Sequence, residues 1–219
     1  MNFNYQKARN IMVENQLRPN KIKDIHILEL FNTTPKEDFL PEKITLSPYS
    51  DLDIPLLKNR GYLKNLHIAQ LIHNAEIENT HKVLHIGALT GYVTSILAKL
   101  SAEVYAIETE PSMLSELKNN IKKTDINNIK IVDGSFKEGF PNGAPFDRII
   151  IDTPIKEVSE KFLKQLSPNL GKIIMVKKIS NDLGKAEKIT MNKNNISNEF
   201  LFDVFSKYEL YSEIEEFIF

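Results

Sequence analysis

Short apolar runs alternating with amphipathic stretches predict an α/β fold, with a doubly wound, mostly parallel sheet and helices on both faces. Three observations carry this reading. Lys82–Ile86 and Glu103–Ile107 are apolar runs of strand length, stopped by Gly87 and Glu108. A helical stretch follows each, at Tyr92–Leu100 and Ser112–Lys123, the second opened by Pro111 at a favourable first-turn position. Ile149-Ile150-Ile151, inside a fourth run at Phe146–Asp152, is too apolar for a sheet wetted on one side.

The other elements follow in order. Tyr5–Gln16 reads as a helix with Ala8, Ile11 and Met12 on one side, ended by Arg18-Pro19 because a residue before proline avoids the α region. Asp24 is a candidate N-cap for Ile25–Phe31. Ser47–Arg60 holds Pro48 and Pro55, lacks a period and reads as an irregular loop. Asn65–Ala75 is a helix, Ile129–Val132 a third strand, Val158–Leu166 a helix and Lys172–Val176 a fifth strand. Ala186–Met191 and Phe200–Phe205 read as a hairpin around the polar turn Asn192–Asn198, giving an antiparallel C-terminal edge. No repeat or linker divides the chain. One domain over 1–219 is expected, with 1–78 a helical N-terminal cap and 79–219 the ligand-binding sheet core.

Composition narrows the function. The 219 residues carry a net charge of −1, which argues against a broad phosphate-binding surface and a nucleic-acid partner. The absence of cysteine excludes disulfides, thiolate metal sites and cysteine nucleophiles. No histidine pair has a third ligand near it in sequence, so no metal site is expected. The polar start at Met1–Asn10 shows no signal peptide, and no apolar run approaches the roughly 20 residues that span a bilayer. A cytoplasmic monomer without a membrane partner is the expectation.

Open α/β sheets bind ligands at the carboxyl ends of their strands. There the sequence places Gly87-Ala88-Leu89-Thr90-Gly91 after the first strand, Glu108 after the second and Asp133-Gly134 after the third. Glu108 lies 21 positions beyond Gly87, the interval at which an acid typically accepts from ribose hydroxyls. Positions 87, 89 and 92 are Gly, Leu and Tyr, which does not fit the G-x-G-x-x-G spacing of dehydrogenases.

Val83 through Tyr92 resembles motif I of class I S-adenosylmethionine (SAM)-dependent methyltransferases. It is most similar to the version in protein-L-isoaspartate O-methyltransferases, which ends in Gly-Tyr. Met12–Arg18 resembles that family's opening helix. Asp24–Leu28 and Pro35-Lys36-Glu37-Asp38-Phe39-Leu40-Pro41 resemble its following stretch. Tyr49, Asp51, Ile54-Pro55, Phe146-Asp147-Arg148-Ile149 and Leu163–Leu166 with Pro168 resemble later ones. Together they cover roughly residues 5–177, and the chain resembles a divergent bacterial branch most.

The resemblance implies a Rossmann-like fold, SAM as cofactor and isoaspartyl residues of damaged proteins as substrate, in protein repair. It implies a cofactor set of His85, Gly87, Ala88, Leu89, Gly91, Glu108, Asp133 and Gly134. The glycine-turn backbone would face the methionine part, Glu108 the ribose and Asp133 the adenine amino group, with Gly134 giving the ring room. Asp152, Thr153 and Lys64 form the expected catalytic set, the first two near the transferring methyl. Lys64 and Arg60 would attract a substrate carboxylate.

Two positions and one stretch depart from the family pattern. His85 stands where motif I begins with an acid, and Leu89 replaces its middle glycine, where a side chain is expected to crowd the cofactor. Arg60–Leu66 replaces G-Q-T-I-S-x-P. These motivate two alternatives: a methyltransferase fold that has lost catalysis and serves as a binding protein, and a methyltransferase acting on another substrate. Methylation of a carboxylate needs no strong base, because the acceptor is ionised at neutral pH with a pKa near ~4. Alignment and exclusion of water can supply the rate.

Overall fold

The computed structural model describes residues 4–42, 44, 47–193 and 195–210. The ends of the expected domain, 1–3 and 211–219, lie outside these residues. Helices α1 (Tyr5–Met12), α2 (Ile25–Thr33) and α3 (Asn65–Ala75) come first, and strands β1 (Ile54–Pro55) and β2 (Gly61–Tyr62) pair antiparallel before α3. Next come β3 (Lys82–Ile86), α4 (Tyr92–Leu100), β4 (Glu103–Ile107), α5 (Pro111–Lys122) and β5 (Ile129–Ile131). Then follow β6 (Arg148–Ile155), α6 (Glu160–Leu163), β7 (Asn169–Lys178), β8 (Leu183–Asn192) and β9 (Asn195–Phe205).

The main sheet runs β5-β4-β3-β6-β7-β8-β9, parallel from β5 to β7 and antiparallel at β8 and β9. After β3 the chain goes outward to β4 and β5, then returns to the other side of β3 as β6. This reversal sets the carboxyl end of β3 at the switch in strand order, where such sheets form a crevice.

Pleating explains the isoleucine triplet. Successive side chains of a strand point to opposite faces. Ile150 joins the apolar cluster of Met12, Phe31, Ile68 and Val176, while Ile149 and Ile151 join Leu84, Ile86 and Phe162 on the opposite face. All three are fully buried, and each such burial is worth roughly 1.5–3 kcal/mol. The N-terminal helices therefore complete the core on one face of the sheet.

Several elements differ from expectation. The first helix is α-helical only to Met12 and continues as wider π turns over Val13–Leu17, which keep Val13 and Leu17 buried beside Met12. The loop over 47–60 contains β1, which pairs with β2 through a turn closed by Leu57 N donating to Arg60 O. Of Val158–Leu166, only Glu160–Leu163 is α-helix. The terminal hairpin is longer than expected, because Asn195–Glu199 pairs along β8 while its side chains stay in solvent. An edge strand held by its backbone needs no alternating pattern. Among the described residues, no helix is long and apolar enough to cross a membrane.

Candidate nucleotide-binding site

β3 delivers the chain into the Gly87–Gly91 turn. Gly87 and Gly91 take φ values of 85° and 101°, in the left-handed region that glycine enters freely. Leu89 shares that region at φ 51°. Its side chain is buried in the cluster of Phe31, Tyr62 and Tyr92, so it packs into the core rather than into the cavity near Glu108. Ala88 is likewise buried, against Ala106 and Leu117.

A polar network that the sequence did not signal braces the back of the turn. Thr90 Oγ1 donates to Phe39 O at 2.6 Å and meets the Tyr62 hydroxyl at 2.8 Å, while Tyr92 N donates to that hydroxyl at 3.1 Å. Beside it lies Lys36, wholly buried, with Nζ 2.9 Å from Asn65 Oδ1 and 5.1 and 5.2 Å from the ring centres of Tyr62 and Tyr92. Burial pushes the ammonium down to about 7, against the pull of Asp53 and Asp152. Lys36 stands in the Pro35–Pro41 stretch, which marked the family without assigning that lysine a task.

Glu108, ending β4, has a complete set of partners. Oε1 accepts from Arg60 Nη1 at 2.7 Å, Thr109 N at 3.0 Å and Glu110 N at 2.9 Å. Oε2 accepts from Arg60 Nη2 and Leu89 N, both at 2.8 Å. Carboxylate and guanidinium are both buried. Arg60 was expected to meet a substrate carboxylate. It is instead held by Glu108 and lies 4.9 Å above the Phe136 ring centre, with Nε buried and without a hydrogen-bond partner among the described residues. A buried cation requires an anion beside it, and Glu108 supplies one.

His85 is fully buried and faces away from solvent. Its Nδ1 meets Thr94 Oγ1 at 2.8 Å and its Nε2 lies 3.3 Å from Asp152 Oδ1. The structure thus puts His85 behind Asp152 and not among groups open to a ligand. Asp152 and Thr153 lie in β6 where its register with β7 is interrupted between Ile151 and Ile155, both buried, and Thr153 Oγ1 has no hydrogen-bond partner among the described residues. Lys64 is elsewhere. It pairs with Asp51 at 3.2 Å and lines a separate cavity with His67, Asp182 and Tyr208.

Asp133 is exposed beyond the end of β5, at a cavity of about 420 Å³ that Glu108, Thr109, Leu114, Ile131 and Gly134 also line. A Cβ on Gly134 would lie 2.7 Å from Ile107 Cδ1 and 2.9 Å from Gly139 O. Its smallness therefore serves protein packing rather than room for a ring. A Cβ on Gly87 would meet Leu210 Cδ1 at 2.5 Å and Arg60 Nη2 at 3.4 Å.

Tested against SAM, the residues fit in one half only. The open cavity and the exposed carboxylate of Asp133 suit an adenine, whereas Leu210 covers the face of Gly87, and Arg60 with three backbone amides takes the lone pairs of Glu108.

A parallel sheet reversing at β3, with a glycine turn, an acid at the next strand end and an antiparallel edge at β8 and β9, is the arrangement of class I methyltransferases. The sequence pattern of the protein-L-isoaspartate(D-aspartate) O-methyltransferase family matches residues 7–202, and the chain belongs to this family. Among its relatives, Protein-L-isoaspartate O-methyltransferase 1 of Syntrophobacter fumaroxidans is 29% identical over 79% of this chain and 80% of its own. Protein-L-isoaspartate O-methyltransferase 2 of Marinobacter nauticus is 30% identical over 73% of each. A Plasmodium falciparum structure described as a protein-L-isoaspartate O-methyltransferase, in complex with S-adenosyl-L-homocysteine, superposes with a TM-score of 0.77 at 21% identity. It covers 95% of this chain and 99% of that one, a likeness of fold.

Proposed function

We propose that this chain is a SAM-dependent carboxyl methyltransferase acting on L-isoaspartyl residues of damaged proteins. One observation carries the reading: in a member of this family, the Gly87 turn, Glu108 and Asp133 end three adjacent parallel strands beside an open cavity. Bound there, SAM would supply the electrophilic methyl group. Asp133 would hold the adenine and Glu108 the ribose once freed from Arg60. Asp152, fixed from behind by His85, and Thr153 would border the acceptor. The proposal extends to a cytoplasmic enzyme acting alone on protein or peptide substrates; the net charge of −1 fits no nucleic-acid partner.

The test incubates the protein with SAM and an isoaspartyl peptide, in parallel with its aspartyl twin. Base-labile methyl ester on the isoaspartyl peptide alone is expected; ester on neither overturns the reading. The complete donor set on Glu108 favours a second reading, a methyltransferase fold retained as a binding protein, and ester formation excludes it.

A further inference from the structure

Two side chains occupy the inner half of the cleft, and they come from distant parts of the chain. Arg60 reaches Glu108 from the start of β2, and Leu210 lies over Gly87 from beyond β9. We propose that the protein closes its own cofactor cleft, with Arg60 and Leu210 as displaceable competitors for the ribose and methionine ends of an S-adenosyl ligand. This rests on the methyltransferase reading above.

The argument begins at the Glu108 carboxylate. It has about four lone-pair sites, and five N–H donors already converge on it. Three are backbone amides fixed by the turn and the strand end. The two from Arg60 sit on a mobile side chain whose Nε is buried without a hydrogen-bond partner among the described residues. A ribose diol can reach this acid only by replacing the guanidinium, the least satisfied member of the set.

Leu210 poses the same obstacle to the methionine end. Its Cδ1 lies where any group touching the face of Gly87 must come, and Leu210 is buried. Buried Tyr208 and the bond from Ser206 N to Asp182 O at 3.0 Å anchor the start of its segment, whereas at 209–210 the polar contacts among the described residues are Leu210 N to Pro154 O and Glu209 N to Asn59 O, each 2.9 Å, and the Lys178–Glu209 ion pair at 2.8 Å. Asn59 immediately precedes Arg60. The bond from Glu209 thus runs from the segment carrying one cover to the turn carrying the other, and each cover blocks its own end of the ligand. The cavity beside Asp133 lies outside both, and an adenine can enter there first.

The experiment titrates three full-length proteins, wild type, Leu210→Ala and Arg60→Met, with S-adenosylhomocysteine and with adenosine, which lacks the methionine end. When only an open fraction binds, the apparent Kd is the intrinsic value divided by that fraction. Leu210→Ala should tighten S-adenosylhomocysteine binding about fivefold or more and leave adenosine within about twofold. Arg60→Met should tighten both. Amide exchange should quicken at 206–210 and slow at 131–134 when S-adenosylhomocysteine binds wild type. Should Arg60→Met fail to fold, Leu210→Ala carries the test. Equal S-adenosylhomocysteine affinity in wild type and Leu210→Ala, or protection of 206–210 on binding, overturns the closure and leaves the methyltransferase reading standing. No binding of either ligand to any folded protein overturns both.

Discussion

The inner and outer halves of the cleft are built from neighbouring strand ends yet solve different problems. At the end of β4, Glu108 is buried and shares a bidentate ion pair with Arg60. One strand further out, Asp133 is exposed beside an open cavity. The same residue class thus serves packing in one place and remains available to a ligand in the other. An acid at a strand end is open to a ligand without rearrangement only where no internal cation reaches it.

If the two acids differ in this way, removing Glu108 should register mainly as stability and removing Asp133 mainly as binding. The largest effect is expected from Glu108→Ala, which leaves the Arg60 cation buried and alone. A loss of about 3–5 kcal/mol in chemical denaturation is expected, and a loss under 1 kcal/mol would show that the pair is solvated.

Lys36, behind the glycine turn, comes next. Its folded value of about 7 lies below its ordinary 10.5, so between these pH values the unfolded chain binds the extra proton and stability rises with pH. The slope approaches about 1.4 kcal/mol per pH unit, and Lys36→Met should flatten it. Urea melts at pH 7 and pH 9 measure both. An unchanged slope in the variant would assign the rise to other groups.

Thr94→Val removes the hydroxyl that meets His85 and should cost about 1–3 kcal/mol, since it leaves a buried ring nitrogen unpaired. Asp133→Ala should be the mildest in stability, within about 0.5 kcal/mol. It should still weaken adenosine binding by the worth of a hydrogen bond, about 0.5–1.5 kcal/mol. A large stability loss there would erase the distinction between the halves.

The strands around the cleft were legible because they are local. Lys82–Ile86 and Glu103–Ile107 have the bounds that their apolar runs and terminators indicate. Asp24 caps α2 through His26 N and Ile27 N, and Pro111 opens α5, as their residue types require. The exposed half of β9 was less legible, since its pairing lies in the backbone and its side chains carry no period. The partners within the site were not legible at all. Arg60 and Glu108 lie 48 positions apart, and His85 and Asp152 lie 67 apart. No spacing rule joins such pairs; the reversal of strand order at β3 does. An altered motif residue such as His85 therefore reads as a defect in sequence, while in the fold it has two partners.

Leu89 bears on how such a turn can change. Its φ of 51° costs about 1–2 kcal/mol for a residue with a Cβ, and the glycine of the family pattern would remove that cost. The same exchange would empty a fully buried leucine position next to Tyr62 and Tyr92, at about 2–5 kcal/mol. A mutational walk toward the family's turn therefore runs uphill at its first step, and the surrounding core would have to be refilled before glycine at 89 became neutral.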